Sequence, residues 1–128
     1  MAIPSGSGTE VLKSHRALAG SDSWVDLIPV ADCDVNKIVT VLSIIAMNGS
    51  ASTEYLSLGI FTYNGSAYAN ESRYVNTHSM VTKATFVWND KFVLTATDSS
   101  NRQVLRALSE SAGDFDYHTS YIVQDWTS

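Results

Sequence analysis

The feature that most constrains this chain is the alternation of apolar and polar residues with a period of two through much of its length. Successive side chains of a β-strand point to opposite faces, so such alternation is typical of strands that bury one face. Helix-forming runs are scarce, and β-branched and aromatic residues are frequent. The pattern predicts strands at Glu10–Leu18, Ser23–Val30, Lys37–Met47, Glu54–Tyr63, Met80–Trp88, Lys91–Thr97, Gln103–Leu108 and Phe115–Gln124.

Turn-forming residues separate these segments, most clearly at Asn48-Gly49 and Asn64-Gly65, because Asn-Gly tolerates the positive φ angles of tight turns. The polar stretch from Asn70 to His78 predicts a loop or an irregular edge. About eight strands at this spacing predict an all-β fold, an antiparallel β-sandwich that is jelly-roll-like. The chain has 128 residues, so one sandwich domain over residues 10–128 is expected, preceded by a Ser/Gly-rich docking arm over residues 1–9.

Composition and charge exclude several classes of partner. The formal net charge is −5 and the pI is about 4.9, which opposes binding to nucleic-acid phosphates. No apolar run approaches the roughly 18 residues needed to cross a bilayer, so no membrane contact is expected. Cys33 is the single cysteine and cannot form an internal disulfide. The start of the chain lacks a basic segment followed by an apolar one, which predicts folding in the cytoplasm that makes it.

A search for catalytic chemistry finds no motif. The three histidines, His15, His78 and His118, do not share the spacing of a metal-binding motif. There is no Gly-x-Ser-x-Gly nucleophile elbow and no phosphate-binding Gly-rich loop. The expectation is therefore a protein that is not an enzyme, with no catalytic residue, no metal site and no cofactor.

Aromatic residues allow two interpretations. Their rings can stack on sugars, which keeps a carbohydrate receptor open as a partner, but they more often complete cores and interfaces. The residues concerned are Trp24, Trp88, Trp126, Tyr55, Tyr63, Tyr68, Tyr74, Tyr117 and Tyr121.

Two predicted strands carry the most information. In Glu54–Tyr63 the alternation predicts that Leu58 faces the core and that Ser57 is exposed enough to tolerate an aspartate. In Lys37–Met47 both faces are largely apolar, so either loops of the same chain or another subunit must cover the second face. The predicted partner-binding residues combine that second face with the arm, and they are Ile3, Pro4, Val39, Val41, Ile45 and Met47.

The opening Ala2-Ile-Pro-Ser-Gly-Ser-Gly-Thr-Glu-Val-Leu-Lys13 resembles the start of a group of small structural proteins of tailed-phage virions. Further similar stretches run from Ile38 into the turn after Asn48, from Asp90 to Asp98, and from Val104 to Asp116. The central stretch from Tyr63 to Trp88 departs from that group. Asp34-Val-Asn36 also stands where the group has Pro-Ala-Gly, so the resemblance does not extend to the turn before the long strand.

The resemblance implies a jelly-roll-like sandwich, assembled as a homotrimer in a head-decoration, fibre or tail-associated role, with no catalytic residues. It predicts a capsid decoration or cement protein that contacts other virion proteins such as the major capsid protein. Such a protein is made and assembled in the bacterial host cytoplasm and resides in the virion. The alternative is a tail-associated or fibre-associated receptor-binding module that binds carbohydrate.

Overall fold

A computed structural model of the chain describes residues 8–19, 23–109 and 114–126. Within these ranges a short 3-10 helix, Val30–Asp32, precedes the longest buried strand, and every paired strand is antiparallel to its neighbour. The strands of the described residues are β1 Thr9–Ala19, β2 Val25–Asp26, β3 Lys37–Asn48, β4 Glu54–Tyr63, β5 Tyr68–Met80, β6 Thr85–Trp88, β7 Phe92–Leu94, β8 Ala96–Asp98, β9 Asn101–Ser109 and β10 Phe115–Asp125.

The strands form two sheets of a jelly roll. Sheet I has the order β1-β10-β3-β6, with β7 also paired to β3, and sheet II has the order β2-β9-β4-β5, with β8 also paired to β9. Strands before the turn at Asn64-Gly65 pair with strands after it in reverse order, which gives the pairs β4·β5, β3·β6, β2·β9 and β1·β10. Successive pairs in this series lie in alternate sheets. The chain is thus one antiparallel ribbon wrapped into a sandwich. The predicted fold class is confirmed.

The core lies between the two sheets and is built from the inward faces of their central strands. Each large aliphatic or aromatic side chain buried there stabilises the fold by about 1.5 to 3 kcal/mol relative to exposure. The largest of the fully buried side chains are Tyr117, Tyr121, Phe115, Leu27, Ile28, Ile44, Leu56, Leu58, Leu94, Leu105, Val39 and Val41.

A β-bulge in β3 decides which of its residues enter the core. Ser120 of β10 pairs with Ser43, but the next residue, Tyr121, pairs with Val41, so Leu42 is an extra residue on β3. An extra residue in one strand inverts the alternation of side chains beyond it. The inward positions are therefore odd-numbered before the bulge and even-numbered after it.

This inversion corrects the predicted partner-binding face. Val39 and Val41 are both 0% exposed in the chain's own core, so their assignment to a face shared with Ile45 and Met47 is wrong. Beyond the bulge the inward position passes to Ile44, while Ile45 is 38% exposed and Met47 is 40% exposed. The odd-numbered apolar residues of β3 therefore fall into two groups. Val39 and Val41, before the bulge, pack in the core, and Ile45 and Met47, after it, lie on the surface.

The polar stretch from Asn70 to His78 is the irregular edge allowed by the sequence, and not a loop. It lies within β5, whose register against β4 shifts at three points. Asn70 and Thr77 adopt positive φ angles of 54° and 49°. An edge strand has one unpaired side and little core contact, so polar residues suffice there.

Ser57 on β4 differs from its prediction because β5 folds over it. The residue is 0% exposed, and its hydroxyl oxygen accepts hydrogen bonds from the backbone N–H of Thr77 at 3.0 Å and from Arg73 at 3.4 Å. Leu58 is buried in the core, as predicted. Because Ser57 is fully buried, we expect Ser57→Asp to destabilise the fold instead of being tolerated.

Asn48, at the end of β3, joins three segments of the chain. Its fully buried Nδ2 donates to the carbonyl oxygens of Ser52 and Met80, each at 3.0 Å, and its Oδ1 accepts from the backbone N–H of Ser50 at 3.0 Å. These bonds hold the β3–β4 loop against the end of β5. Buried polar groups need such partners, since leaving one unpaired costs about 1 to 3 kcal/mol.

The two Asn-Gly pairs provide a matched test of this role. At Asn64 the Oδ1 atom accepts from the backbone N–H groups of Ser66 and Ala67, at 2.9 and 2.8 Å, and aspartate retains that acceptor. We expect Asn48→Asp to lower the free energy of unfolding by about 3 kcal/mol or more, because it places a carboxylate against carbonyl oxygens. Asn64→Asp should change it by no more than about 0.5 kcal/mol. Urea unfolding of both variants measures the difference, and equal losses would contradict the assignment.

Candidate assembly surface

The side of sheet I that faces away from the core carries a band of exposed apolar side chains. In β1 and β3 these are Leu12, Leu18, Ile45 and Met47, which are 69%, 64%, 38% and 40% exposed. In β6 and β7 they are Val87 and Val93, which are 55% and 50% exposed. We call these six residues the outer apolar face.

The register of the sheet places Ile45 and Met47 near the middle of this face. One row of directly opposite residues crosses β1, β10, β3 and β6, and it consists of Arg16, His118, Ile45 and Val87. Two residues further along each strand, on the same face, Met47 lies opposite Asp116, and Asp116 lies opposite Leu18. Side chains opposite each other on one face have Cβ atoms about 4.5 to 5.5 Å apart, so Ile45 and Val87 are neighbours. His118 and Asp116 of β10 lie between the apolar side chains of β3 and those of β1.

An ion pair lies within the outer apolar face. Arg16 donates to Asp116 through two nitrogens, Nε to Oδ1 at 3.0 Å and Nη2 to Oδ2 at 2.7 Å. This hydrogen-bonded guanidinium lowers the pKa of the Asp116 carboxyl from its ordinary value. The pair borders a shallow depression of about 230 Å³ lined by Arg16, Ile45, Met47, Asp116 and His118. The pair carries no net charge, so it adds no uncompensated charge to the face.

The lowered pKa of Asp116 predicts a pH-dependent contribution to stability. A carboxyl with a folded-state pKa below its unfolded value, about 3.9, stabilises the fold above that pH and loses this contribution as pH falls through the folded pKa. Wild type should therefore exceed Asp116→Asn in stability at neutral pH, and the difference should begin to shrink near the unfolded pKa of about 3.9 and be lost below the folded pKa. Thermal melts between pH 2 and 7 measure it. In an Arg16→Ala background, Asp116→Asn should produce a smaller pH-dependent difference.

The predicted partner-binding residues divide into three groups. Ile45 and Met47 lie on the outer apolar face, and Val39 and Val41 lie in the core. Ile3 and Pro4 lie outside the described residues, and β1 already begins at Thr9, which the sequence assigned to the arm.

Sequence reasoning missed the flanking members of the outer apolar face. The period-two spacing of Leu12 and Leu18, both even-numbered in β1, is a signal that could have found two of them. No sequence signal joins Arg16 to Asp116, because the residues are 100 positions apart.

The aromatic rings of sheet II are covered by arginines of the same chain. The guanidinium carbons of Arg73 and Arg106 lie 5.1 Å from the centre of the Trp24 ring and 3.7 Å from that of Tyr68. Arg106 is held in place by Asp26, with Nε and Oδ1 2.9 Å apart. Burial, followed by the hydrogen bond to Asp26, raises the pKa of Tyr68 to about 12. These cation–π contacts occupy ring surface on which a sugar would have to stack.

A second group of rings lines a groove between β5 of sheet II and β6 and β7 of sheet I. The ring of Tyr74 meets those of Trp88 and Phe92 edge to face, with centroids 4.9 and 5.6 Å apart. The groove measures about 280 Å³, and its lining is completed by Ile60, Ser72 and Val93. Its size is near the lower limit for small-molecule sites.

The described residues offer little for metal or thiol chemistry. No group of three or more His, Cys, Asp or Glu residues in these ranges is arranged to hold a metal ion. Burial, reinforced by the nearby Asp32, raises the pKa of the Cys33 thiol to about 12, which disfavours the reactive thiolate. None of the helices in the described ranges has the length and apolar character required to cross a bilayer.

Comparison with solved structures finds the same fold in virus particles. The chain is similar to the structure of the infectious bursal disease virus Gx strain, with a TM-score of 0.56, 10% identity, and coverage of 94% of this chain and 33% of that one. It is also similar to the VP2 subviral particle of the same virus, with a TM-score of 0.52, 9% identity, and coverage of 91% and 32%. The chain therefore spans about a third of the length of these proteins.

Sequence comparisons add no relative. No family model matches the chain, and no curated protein matches it. At the identities found, the structural likeness shows the fold alone. The resemblance of the stretch from Ala2 to Lys13 to phage virion proteins thus stays a prediction.

Proposed function

We propose that this chain is a non-enzymatic structural component of a tailed-phage virion, acting as a capsid decoration or cement protein. The observation that carries the proposal is the outer apolar face of sheet I, exposed on a sandwich whose core is already closed by its own two sheets. The jelly-roll fold and the resemblance of the N-terminal stretch support the same proposal.

The outer apolar face supports assembly because it has no role in closing the core. Contiguous exposed apolar surface marks interaction sites in soluble proteins. Each side chain that passes from full exposure to burial contributes about 1.5 to 3 kcal/mol, and half-exposed residues contribute correspondingly less. We propose that copies associate through this face as a homotrimer, and that the trimer binds the major capsid protein. No nucleic acid, membrane or cofactor takes part, and assembly occurs in the bacterial host cytoplasm.

The double variant Ile45→Lys with Met47→Lys tests association through this face. Both side chains are on the surface, so the charges should abolish association through this face, and with it the trimer, while changing the free energy of unfolding of the monomer by no more than about 0.5 kcal/mol per site. Tyr55→Lys is the control, since Tyr55 is 42% exposed on β4 of the other sheet. Light scattering coupled to gel filtration measures the mass. A wild-type monomer at tens of micromolar, or an unchanged assembly in the double variant, would contradict the proposal.

The place of the chain in the particle needs a separate experiment. Purified phage particles labelled with an antibody against this chain should show label on the capsid surface in electron micrographs. Label confined to the tail or fibres would exclude a decoration role and favour the receptor-binding alternative.

The groove beside Tyr74 favours that second candidate function, a receptor-binding module for carbohydrate. Trp88 and Phe92 supply apolar ring surface, and Ser72 supplies a hydroxyl group for hydrogen bonding. Titration with mono- and oligosaccharides, followed by tryptophan fluorescence, tests it. Binding should be lost in Ser72→Trp, which fills the groove from the surface strand β5, and no saturable signal with wild type would exclude this candidate.

A further inference from the structure

The edges of the two sheets differ in how they are protected against pairing with another chain. The edge of sheet II beside β9 consists of β2 and β8, which have 2 and 3 residues. Its other edge, β5, is long but broken by register shifts and by left-handed residues. In sheet I the edge beyond β3 consists of β6 and β7, with 4 and 3 residues. Short strands and bulges are the usual devices that prevent strand addition.

The remaining edge, β1, has neither device. It has 11 residues and pairs with β10 without a register shift, from Thr9 opposite Asp125 to Ala19 opposite Phe115. On its other side it pairs with no strand of the described residues. A long, regular edge of this kind presents a row of backbone donors and acceptors to a further strand.

The side chains of β1 do not guard the edge either. Lys13 is paired with Asp32, with Nζ and Oδ1 2.9 Å apart, and Arg16 is paired with Asp116 at 2.7 Å. Lysine on an edge strand usually blocks association by projecting an uncompensated charge. Here both basic groups are neutralised by their own chain, and among the described residues Leu12 and Leu18 are the most exposed large apolar side chains.

We propose that β1 is a strand-addition site for β1 of a second copy of this chain. The two strands run antiparallel about a two-fold axis through His15, so the two sheets I form one continuous sheet. The inference goes beyond the proposed function, because it concerns a backbone edge and stands whether or not the outer apolar face binds a partner.

The sequence of β1 favours this register over the two registers centred on Ser14 and Lys13. With His15 opposite His15 of the second copy, Leu12 lies opposite Leu18 and Ser14 lies opposite Arg16, each pair occurring twice. Lys13 then lies opposite Ala17, so no like charges are directly opposed. Centring the axis on Lys13 would oppose two lysines, which destabilises a sheet, and centring it on Ser14 would oppose Leu12 to Arg16. The two-fold arrangement is isologous, as in most homodimeric contacts.

The variant His15→Cys tests the register directly. Directly opposite residues of an antiparallel pair have Cα atoms about 4.5 or 5.5 Å apart, and both separations are within the range of a disulfide. Oxidised glutathione should therefore convert His15→Cys into a disulfide-linked species of twice the chain mass on a non-reducing gel, and reductant should reverse it. Loss of that species, relative to the controls, overturns the proposal.

Two controls are provided by the chain itself. Ser14→Cys is on the same strand, but in the proposed register residue 14 lies opposite Arg16 of the second copy. The two introduced cysteines are then two residues apart along the strand, so cross-linking should be much weaker. Wild type supplies the blank, because Cys33 is only 4% exposed and should form no linked dimer. Equal cross-linking of the two variants would indicate random collision and would also overturn the proposal.

A further combination separates this inference from the proposed function. His15→Cys in the Ile45→Lys, Met47→Lys background should still cross-link, because those substitutions are on β3 and leave β1 unchanged. If that background loses cross-linking, the contact depends on the outer apolar face and the edge proposal fails. In wild type, amide exchange along β1 should slow as protein concentration rises, and exchange independent of concentration contradicts strand addition even if a variant folds poorly.

Discussion

The burial of apolar side chains between the two sheets is the interaction on which the rest of this structure depends. It requires that every long strand present its apolar residues to the same layer, and β3 meets that requirement only through the bulge at Leu42. Without the extra residue, Val41 and Ile44 could not both face the core, because in a regular strand two residues that are three positions apart point to opposite faces. The bulge also turns Ile45 and Met47 outward, so one irregularity both completes the core and creates the centre of the outer apolar face.

The outer surfaces of the two sheets are finished in opposite ways. On sheet II, arginines lie over aromatic rings and β5 folds across β4, so polar contacts within the chain cover rings that the sheet leaves at its surface. On sheet I, the ion pair between Arg16 and Asp116 neutralises the charge but leaves Leu12, Leu18 and Val87 uncovered. This asymmetry concentrates the candidate binding surface on one side of the sandwich and along its β1 edge. A face and an edge together would let a small protein contact more than one neighbour.

Several parts of the candidate site could be predicted from the sequence. The two-sided apolar character of Lys37–Met47 correctly indicated Ile45 and Met47 as surface residues, because alternation is visible along one strand. It assigned Val39 and Val41 wrongly, because a bulge is recognised by comparing a strand with its partner across the sheet. β5 was also difficult, since an edge strand has no buried face to impose alternation on its sequence. The burial of Ser57 could not be predicted for a similar reason. Residues of β5 cover its side chain, and the sequence around Ser57 does not show where β5 lies.

The sequence by itself determined that this is a two-layer β protein with a tight turn at Asn64-Gly65, because strand periodicity and turn chemistry are local properties of the chain. The second predicted tight turn, at Asn48-Gly49, is wrong, since a longer loop there carries the chain from one sheet to the other. The sequence also determined the acidic charge that opposes nucleic-acid binding. Only the tertiary structure decided which strands became edges, which apolar residues remained exposed, and that Arg16 meets Asp116. Those outcomes depend on pairings between strands far apart in the chain, such as β1 with β10, and pairing is set by how two sheets close over a shared core. The candidate assembly surface is what that closure leaves uncovered.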